Sequence, residues 1–161
     1  RIALVWDRAT GTDQLNIAID IANKIGIEVV SLAVRPSDNF ESEFAKLSGP
    51  RKTGIVQLTF PGISTVAAGY AAAAEKHKLP TIAFLRVVAH AGVLMSYGPS
   101  QEHYFPRAVE LADKILNGAN VGEIPIERPA KFEFVVNLKT ARALGLTLPP
   151  SILVRADEVI E

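Results

Sequence analysis

Two hydrophobic rhythms alternate along the chain. An unbroken apolar run occupies residues 2–6 (IALVW), and predominantly apolar runs occupy 27–34 (IEVVSLAV), 54–60 (GIVQLTF), 79–85 (LPTIAFL) and 93–98 (VLMSYG). Each is too short for a helix of ordinary length and lacks polar alternation, which predicts strands buried on both faces. Helical spacing fills the intervals. Leu15, Ala18, Ile19, Ala22 and Ile25 recur at three- and four-residue steps, with Thr10 or Thr12 as N-cap and Gly26 as the stop. Phe40, Phe44 and Leu47 share a second helical face, capped by Ser37 or Asp38, with Glu41 completing a capping box and Gly49-Pro50 ending it. An alanine-rich helix capped by Ser64 follows, and residues 86–92 form a short helical turn.

Strand and helix thus alternate repeatedly, which predicts right-handed crossovers. The expected fold class is α/β: a Rossmann-like, three-layer parallel sheet with helices on both faces. The tail departs from this rhythm. An amphipathic helix over 101–118 carries Ala108, Leu111, Ala112, Ile115 and Leu116 on one side, and a connector bearing proline and glycine follows at 119–130. A strand over 131–137 and a helix from 138 capped by Asn137 come next, and Pro150 and Ser151 suit a last helix start. The expected organisation is a core over 1–98, a long helix and crossover or hinge connector over 99–131, and a returning strand with terminal helices over 132–161.

Composition narrows the functional classes. With 161 residues, 48% hydrophobic and 21% charged, the chain can bury one substantial core. Lys and Arg total 17, as do Asp and Glu, so the concentrated positive field of a nucleic-acid surface is not expected. No run of 18 apolar residues occurs. The absence of cysteine excludes disulfides, thiolate nucleophiles and Cys-ligated zinc within this stretch. Arg1 stands directly before an apolar strand, so the chain is expected to be a fragment of a longer protein.

A parallel sheet offers ligands the loops at the carboxyl ends of its strands. Here those are 7–12, 36–38, 61–64, 86–88 and 98–100. The first, DRATGT, lacks the glycine pattern of a dinucleotide loop. GPRKTG at 49–54 has the wrong spacing for a phosphate loop and precedes its strand, and PGISTV lacks the second glycine of a nucleophile elbow. His77, His90 and His103 form no i, i+4 metal pair. No catalytic constellation, metal site or cofactor site is expected, and binding becomes the favoured class. Five residues near the carboxyl edge are candidate ligand contacts: Asp7, Thr10, Phe60, Arg86 and Tyr97. Four of them have a plain structural alternative. Asp7 suits a loop or helix cap, Arg86 an internal salt bridge or a solvated side chain, and Tyr97 and Phe60 aromatic packing.

The most specific stretch is YFPRAVELADKILNGANVGEIPIERPAKFEFVVNLKTARALGLTLPPSILVRADEVIE, residues 104–161. Together with Gly92 to Gly98 and the opening RIALVWD, it resembles ABC transporter substrate-binding proteins of the aromatic-amino-acid-binding type. The resemblance implies one lobe, mostly the C-terminal one, of a type I periplasmic binding fold. The N-terminal lobe would be missing ahead of Arg1, and the ligand, an amino acid or small carboxylate, would sit in the cleft between lobes. It further implies no enzymatic activity, ABC permease subunits as partners, and a location in the periplasm or lipid-anchored outside the cytoplasmic membrane. The isolated lobe would expose half a cleft, making a homodimer possible. Two cleft-facing loops depart from the family pattern: Asp7-Arg8-Ala9-Thr10 stands where N-P-x-N is usual, and Leu85-Arg86-Val87-Val88 where F-R-x-F is usual. The alternatives are a sensory or regulatory ligand-binding domain of the same fold and a Rossmann-type enzyme lobe.

Overall fold

The computed structural model describes residues 1–9 and 12–161. Its element order is β1 (Ile2–Asp7), α1 (Thr12–Lys24), β2 (Val29–Val34), α2 (Phe40–Ala45), β3 (Gly54–Gln57), α3 (Ile63–Lys76) and β4 (Thr81–Ala83). Then come α4 (Arg86–His90), β5 (Met95–Pro99), α5 (Gln101–Leu116), β6 (Phe132–Asn137), α6 (Leu138–Ala143), α7 (Pro150–Leu153) and β7 (Glu158–Ile160). The strands form one sheet in the order β2-β1-β3-β4-β5-β6-β7. The α/β class and its helices on both faces follow the expectation, with one correction: the sheet is mixed. β1 to β5 run parallel, β6 returns antiparallel to β5, and β7 pairs parallel with β6.

Strand register assigns the faces. Ala3 pairs with Ile55, Val5 with Gln57, and Ala83 with Ser96, so these side chains share one face. That face packs the main core, where Phe40 and Phe44 of α2, Ile63, Ala67 and Tyr70 of α3, and Val88 of α4 are buried with Ala3, Val5 and Ile55. Three aromatic rings set its centre: Tyr70 meets Phe40 at 5.3 Å and Phe44 at 5.0 Å, both edge to face. The opposite face is covered by α1, which buries Leu15 and Ala22. Ile25, expected inside, is exposed, as are Ile17 and Ile21.

Three further expectations are corrected. Asn39, rather than Ser37 or Asp38, caps α2, its Oδ1 accepting the Ser42 amide at 3.2 Å, while Asp38 accepts the Arg35 amide. Gly62, rather than Ser64, precedes α3; its φ of +79° makes the sharp turn out of Phe60-Pro61, which a β-carbon would resist. The terminus ends in a strand as well as in helices: β7 pairs with β6 through Val136 and Val159. Asn137 does cap α6, its Oδ1 accepting the Thr140 amide at 3.0 Å.

After β5 the chain leaves the sheet. α5 buries none of its residues, although Phe105, Val109, Ile115 and Leu116 are apolar, and the chain returns only at β6. The root of this arm is closed by the Ser100 amide donating to the Lys131 carbonyl at 2.9 Å. Further out, Arg107 holds the returning segment through a two-pronged pair with Glu127 at 2.8 and 2.6 Å.

Candidate functional site

β1, β3, β4 and β5 all end at the same edge of the sheet, so their following loops converge there. The candidate residues sit around this edge in different ways. Asp7 ends β1 and is buried, and its Oδ1 accepts the Ala9 amide at 2.7 Å, an Asx turn that fixes the loop. Thr10 lies outside the described residues. Phe60 departs from the expectation of a rim contact: at 3% exposed it lies in the main core, edge to face with Phe40 at 6.2 Å. The turn at Pro61-Gly62 swings it inward beneath α3 instead of presenting it at the edge.

Arg86 begins α4 immediately after β4 and gathers three carboxylates. It pairs with Glu158 at 2.9 Å, Glu102 at 3.0 Å and Glu133 at 3.8 Å. These come from β7, α5 and β6, so one guanidinium ties the arm and both returning strands to the end of β4. The internal salt bridge, weighed as its alternative, is therefore present. Glu158 also lies 3.1 Å from His90 Nε2. Tyr97 has the most open aromatic ring at this edge, 56% exposed on β5. It stacks on Phe132 with centroids 5.7 Å apart and meets Phe134 edge to face. Its orientation is thus fixed from one side and free on the other.

Residues that local pattern did not single out complete the edge. Gln57 is buried at the end of β3; its Oε1 accepts the Phe84 amide at 3.2 Å, and its side-chain amide donates to the Leu58 carbonyl. It holds the ends of β3 and β4 in fixed relation. Gln14 of α1 makes a paired contact with Thr59: Nε2 donates to Oγ1 at 2.8 Å, and the Thr59 amide donates to Oε1 at 3.0 Å. Ser100 is buried with its hydroxyl donating to Glu133 and lying 3.2 Å from His103 Nδ1. Because the carboxylate engages the hydroxyl instead of the imidazole, the three lack the relay of a nucleophilic triad. A buried polar glutamine at a strand end was a detectable signal; partners 33 or more residues away, such as Glu133 for Ser100, were not.

Among the described residues no group of three His, Cys, Asp or Glu side chains could hold a metal ion. No described helix is long and apolar enough to cross a membrane. The edge gathers several strand-end loops and one exposed aromatic ring, Tyr97.

The fold is a mostly parallel α/β sheet whose strand-end loops gather at one edge. The sequence profile described as ABC transporter substrate binding protein matches residues 2–160, and the chain belongs to that family. A tyrosine-binding protein of Clostridioides difficile (strain R20291) is 29% identical over 139 residues, 83% of this chain and 38% of that protein. Among solved structures, an ABC domain in complex with L-Trp from Streptococcus pneumoniae superposes with a TM-score of 0.85 at 20% identity, covering 99% of this chain and 54% of that one. A conserved domain protein of Vibrio cholerae O1 biovar El Tor gives 0.88 at 20% identity, covering 98% and 54%. The chain therefore spans 38% of the curated relative and about half the length of these solved structures.

Proposed function

We propose that this chain forms one lobe of the solute-binding component of an ABC importer. The lobe captures an amino acid, or a related small carboxylate, against the carboxyl edge of its sheet. The observation that carries this reading is the family match over residues 2–160 combined with the convergence of four strand-end loops at one edge. The ligand lies between this edge and a second lobe supplied by the rest of the protein. The arm over 101–131 is the crossover between them, and its root at Ser100 and Lys131 is the hinge. Tyr97 offers a ring face to an aromatic side chain, consistent with relatives named for tyrosine and crystallised with L-Trp. Asp7, Gln57 and Arg86 hold the loops that frame it, and Thr10 is a further candidate contact. Delivery is to ABC permease subunits outside the cytoplasmic membrane, and the protein is not an enzyme.

The test is a thermal-shift and calorimetric screen of the full-length protein against the common amino acids and small carboxylates. A cognate ligand at 100 times its Kd adds about 2.7 kcal/mol of stability. Tyr97→Ala is expected to weaken an aromatic ligand by about 2- to 12-fold, which is the 0.5–1.5 kcal/mol of an aromatic pair. A screen in which no compound shifts the melting temperature counts against the reading.

A further inference from the structure

The amino ends of β3 and β4, at the opposite end of the sheet from the ligand edge, border a second concavity. About 580 Å³ opens between the loop 47–54, the turn 77–80 from α3 into β4, and residues 144–146 beyond α6. That volume falls within the roughly 300–1,000 Å³ of small-molecule sites. Its walls are of two kinds. Pro50, Leu79, Pro80, Leu144 and Leu146 supply apolar surface, while Arg51, Lys52 and Lys78 supply positive charge. No aspartate or glutamate lines it.

The three cations are not equally committed. Arg51 pairs at 2.7 Å with Glu28, which lies outside the cavity wall. Lys52 is exposed and has no carboxylate within ion-pair distance among the described residues. Lys78 donates one ammonium hydrogen to the Ala143 carbonyl at 2.8 Å, which leaves two free. Among the described residues Lys78 alone, glycines aside, has a positive φ, +52°. A left-handed position just past a helix ordinarily falls to glycine or asparagine, because a β-carbon is strained there. The chain instead keeps a lysine at that point, and strain of this kind collects where a side chain is needed. Attraction to the helix end accounts for cations at the close of α3, but not for Lys52, which stands in the loop before β3. His77 lines the same wall; its Nδ1 lies 3.1 Å from Ser48 Oγ, and its Nε2 has no partner among the described residues.

We infer that this cavity is a second binding site, for a small amphiphilic anion: a carboxylate on an apolar body. The carboxylate takes charge-assisted hydrogen bonds from Lys52 and Lys78, and the apolar body lies against Leu79, Leu144 and Leu146. A bare inorganic anion leaves those apolar walls uncovered, and a neutral apolar molecule makes no use of the two ammonium groups. The segment GPRKTG, whose spacing excludes a phosphate loop, takes part by placing Lys52 in the wall. The site shares no residue with the ligand edge, so this inference does not depend on which solute binds there, or on whether one does.

Calorimetry on the full-length protein with sodium octanoate as the probe tests it, with 1-octanol and inorganic phosphate as controls and amide hydrogen exchange to locate the contact. Octanoate is expected to bind and to slow exchange in 47–54 and 144–146. Lys78→Gly should weaken it about tenfold while holding or raising the melting temperature, because glycine removes the cation and relieves the strained φ. Lys52→Gln should weaken it by a similar factor, and Lys52→Arg should restore binding to within about twofold. Octanoate that neither binds nor protects these segments overturns the inference. So does equal affinity for 1-octanol or for phosphate, or unchanged octanoate affinity in both K78G and K52Q. Protection confined to the loops at the carboxyl edge refutes this site while leaving the solute reading in place.

Discussion

The carbonyl oxygen of Phe84 lies 1.9 Å from the position a β-carbon on Gly98 would take. Backbone atoms of both residues form that approach, so no side chain can rotate away to make room. The end of β4 and the end of β5 are brought to this distance just where the candidate ligand edge begins.

Gly98→Ala must therefore push the two strand ends apart. The expected loss is about 2–3 kcal/mol, at the upper end of overpacking, seen as a fall of roughly 5–10 °C in melting temperature. Gly69 supplies the contrast. It lies within α3 with no atom within 4 Å of its added β-carbon, so Gly69→Ala should stabilise by about 0.5–1 kcal/mol. Equal effects of the two substitutions would show that the β4–β5 approach is not a constraint.

Asn137 joins three elements with one side chain. Its Oδ1 caps α6 at Thr140, its Nδ2 donates to the Ala89 carbonyl of α4 at 3.1 Å, and it ends β6 while buried. Asn137→Ala removes a cap worth about 1 kcal/mol and one hydrogen bond to the Ala89 carbonyl worth about 0.5–1.5 kcal/mol, the carbonyl keeping its bond from the Gly92 amide at 3.0 Å, for an expected loss of about 1.5–2.5 kcal/mol in urea denaturation. Asn137→Ser keeps a capping oxygen but cannot reach Ala89, so it should fall between the two. Indistinguishable Ala and Ser variants would mean the cap contributes nothing.

The core strands and helices were legible because each is specified by its own short segment. IALVW and GIVQLTF are apolar enough to be buried in any parallel sheet, and Asn137 stands at the required offset from the Thr140 amide. What escaped was decided over longer distances. The EVI of residues 158–160 becomes a strand only because β6 offers a free edge beside it, and nothing in its own composition favours that over a helix end. Both apolar stripes of α1 look alike in periodicity, and only the sheet selects Leu15 and Ala22 for burial. At the ligand edge, the carboxyl-end rule located the loops, but it could not show that Phe60 turns inward or that Arg86 meets Glu158, 72 residues later. Asp7 was placed at its strand end from sequence, and its bond to the Ala9 amide is the capping role that aspartate performs in many loops.

Tyr70 carries a fully buried hydroxyl with no hydrogen-bond partner among the described residues, at the centre of the Phe40–Phe44 cluster. Burial disfavours the phenolate and holds the hydroxyl well above its ordinary value of 10.0. With the folded value raised, stability is intact below pH 10.0 and declines as pH rises past it, because the unfolded chain then releases a proton the folded one retains. Tyr70→Phe removes the unsatisfied oxygen without opening the core, and is expected to leave stability unchanged or raise it by up to about 1 kcal/mol at neutral pH. It should also remove part of the alkaline destabilisation. A clear loss of stability in Y70F would show that the hydroxyl has a partner, such as an internal water.

The pair Arg107–Glu127 fastens the returning half of the arm to α5, and it sets a pH limit on that fastening. The hydrogen bonds from Arg107 hold the Glu127 carboxyl below its ordinary 4.5, with the positive charge of the same guanidinium adding to the effect. A depressed carboxylate contributes stability above its unfolded value and loses it as pH falls through the folded one. The segment 124–131 should therefore keep constant amide-exchange protection from neutral pH down to about 4.5, and lose it progressively below, after correction for intrinsic exchange rates. Since both groups are solvent-facing, raising the salt concentration should weaken the fastening at neutral pH as well. Arg107→Lys, which cannot present two parallel donors, should lower protection of 124–131 at neutral pH and leave the sheet unaffected. Protection of this segment that ignores pH, salt and the substitution alike would assign the arm's shape to its apolar contacts instead of to this pair.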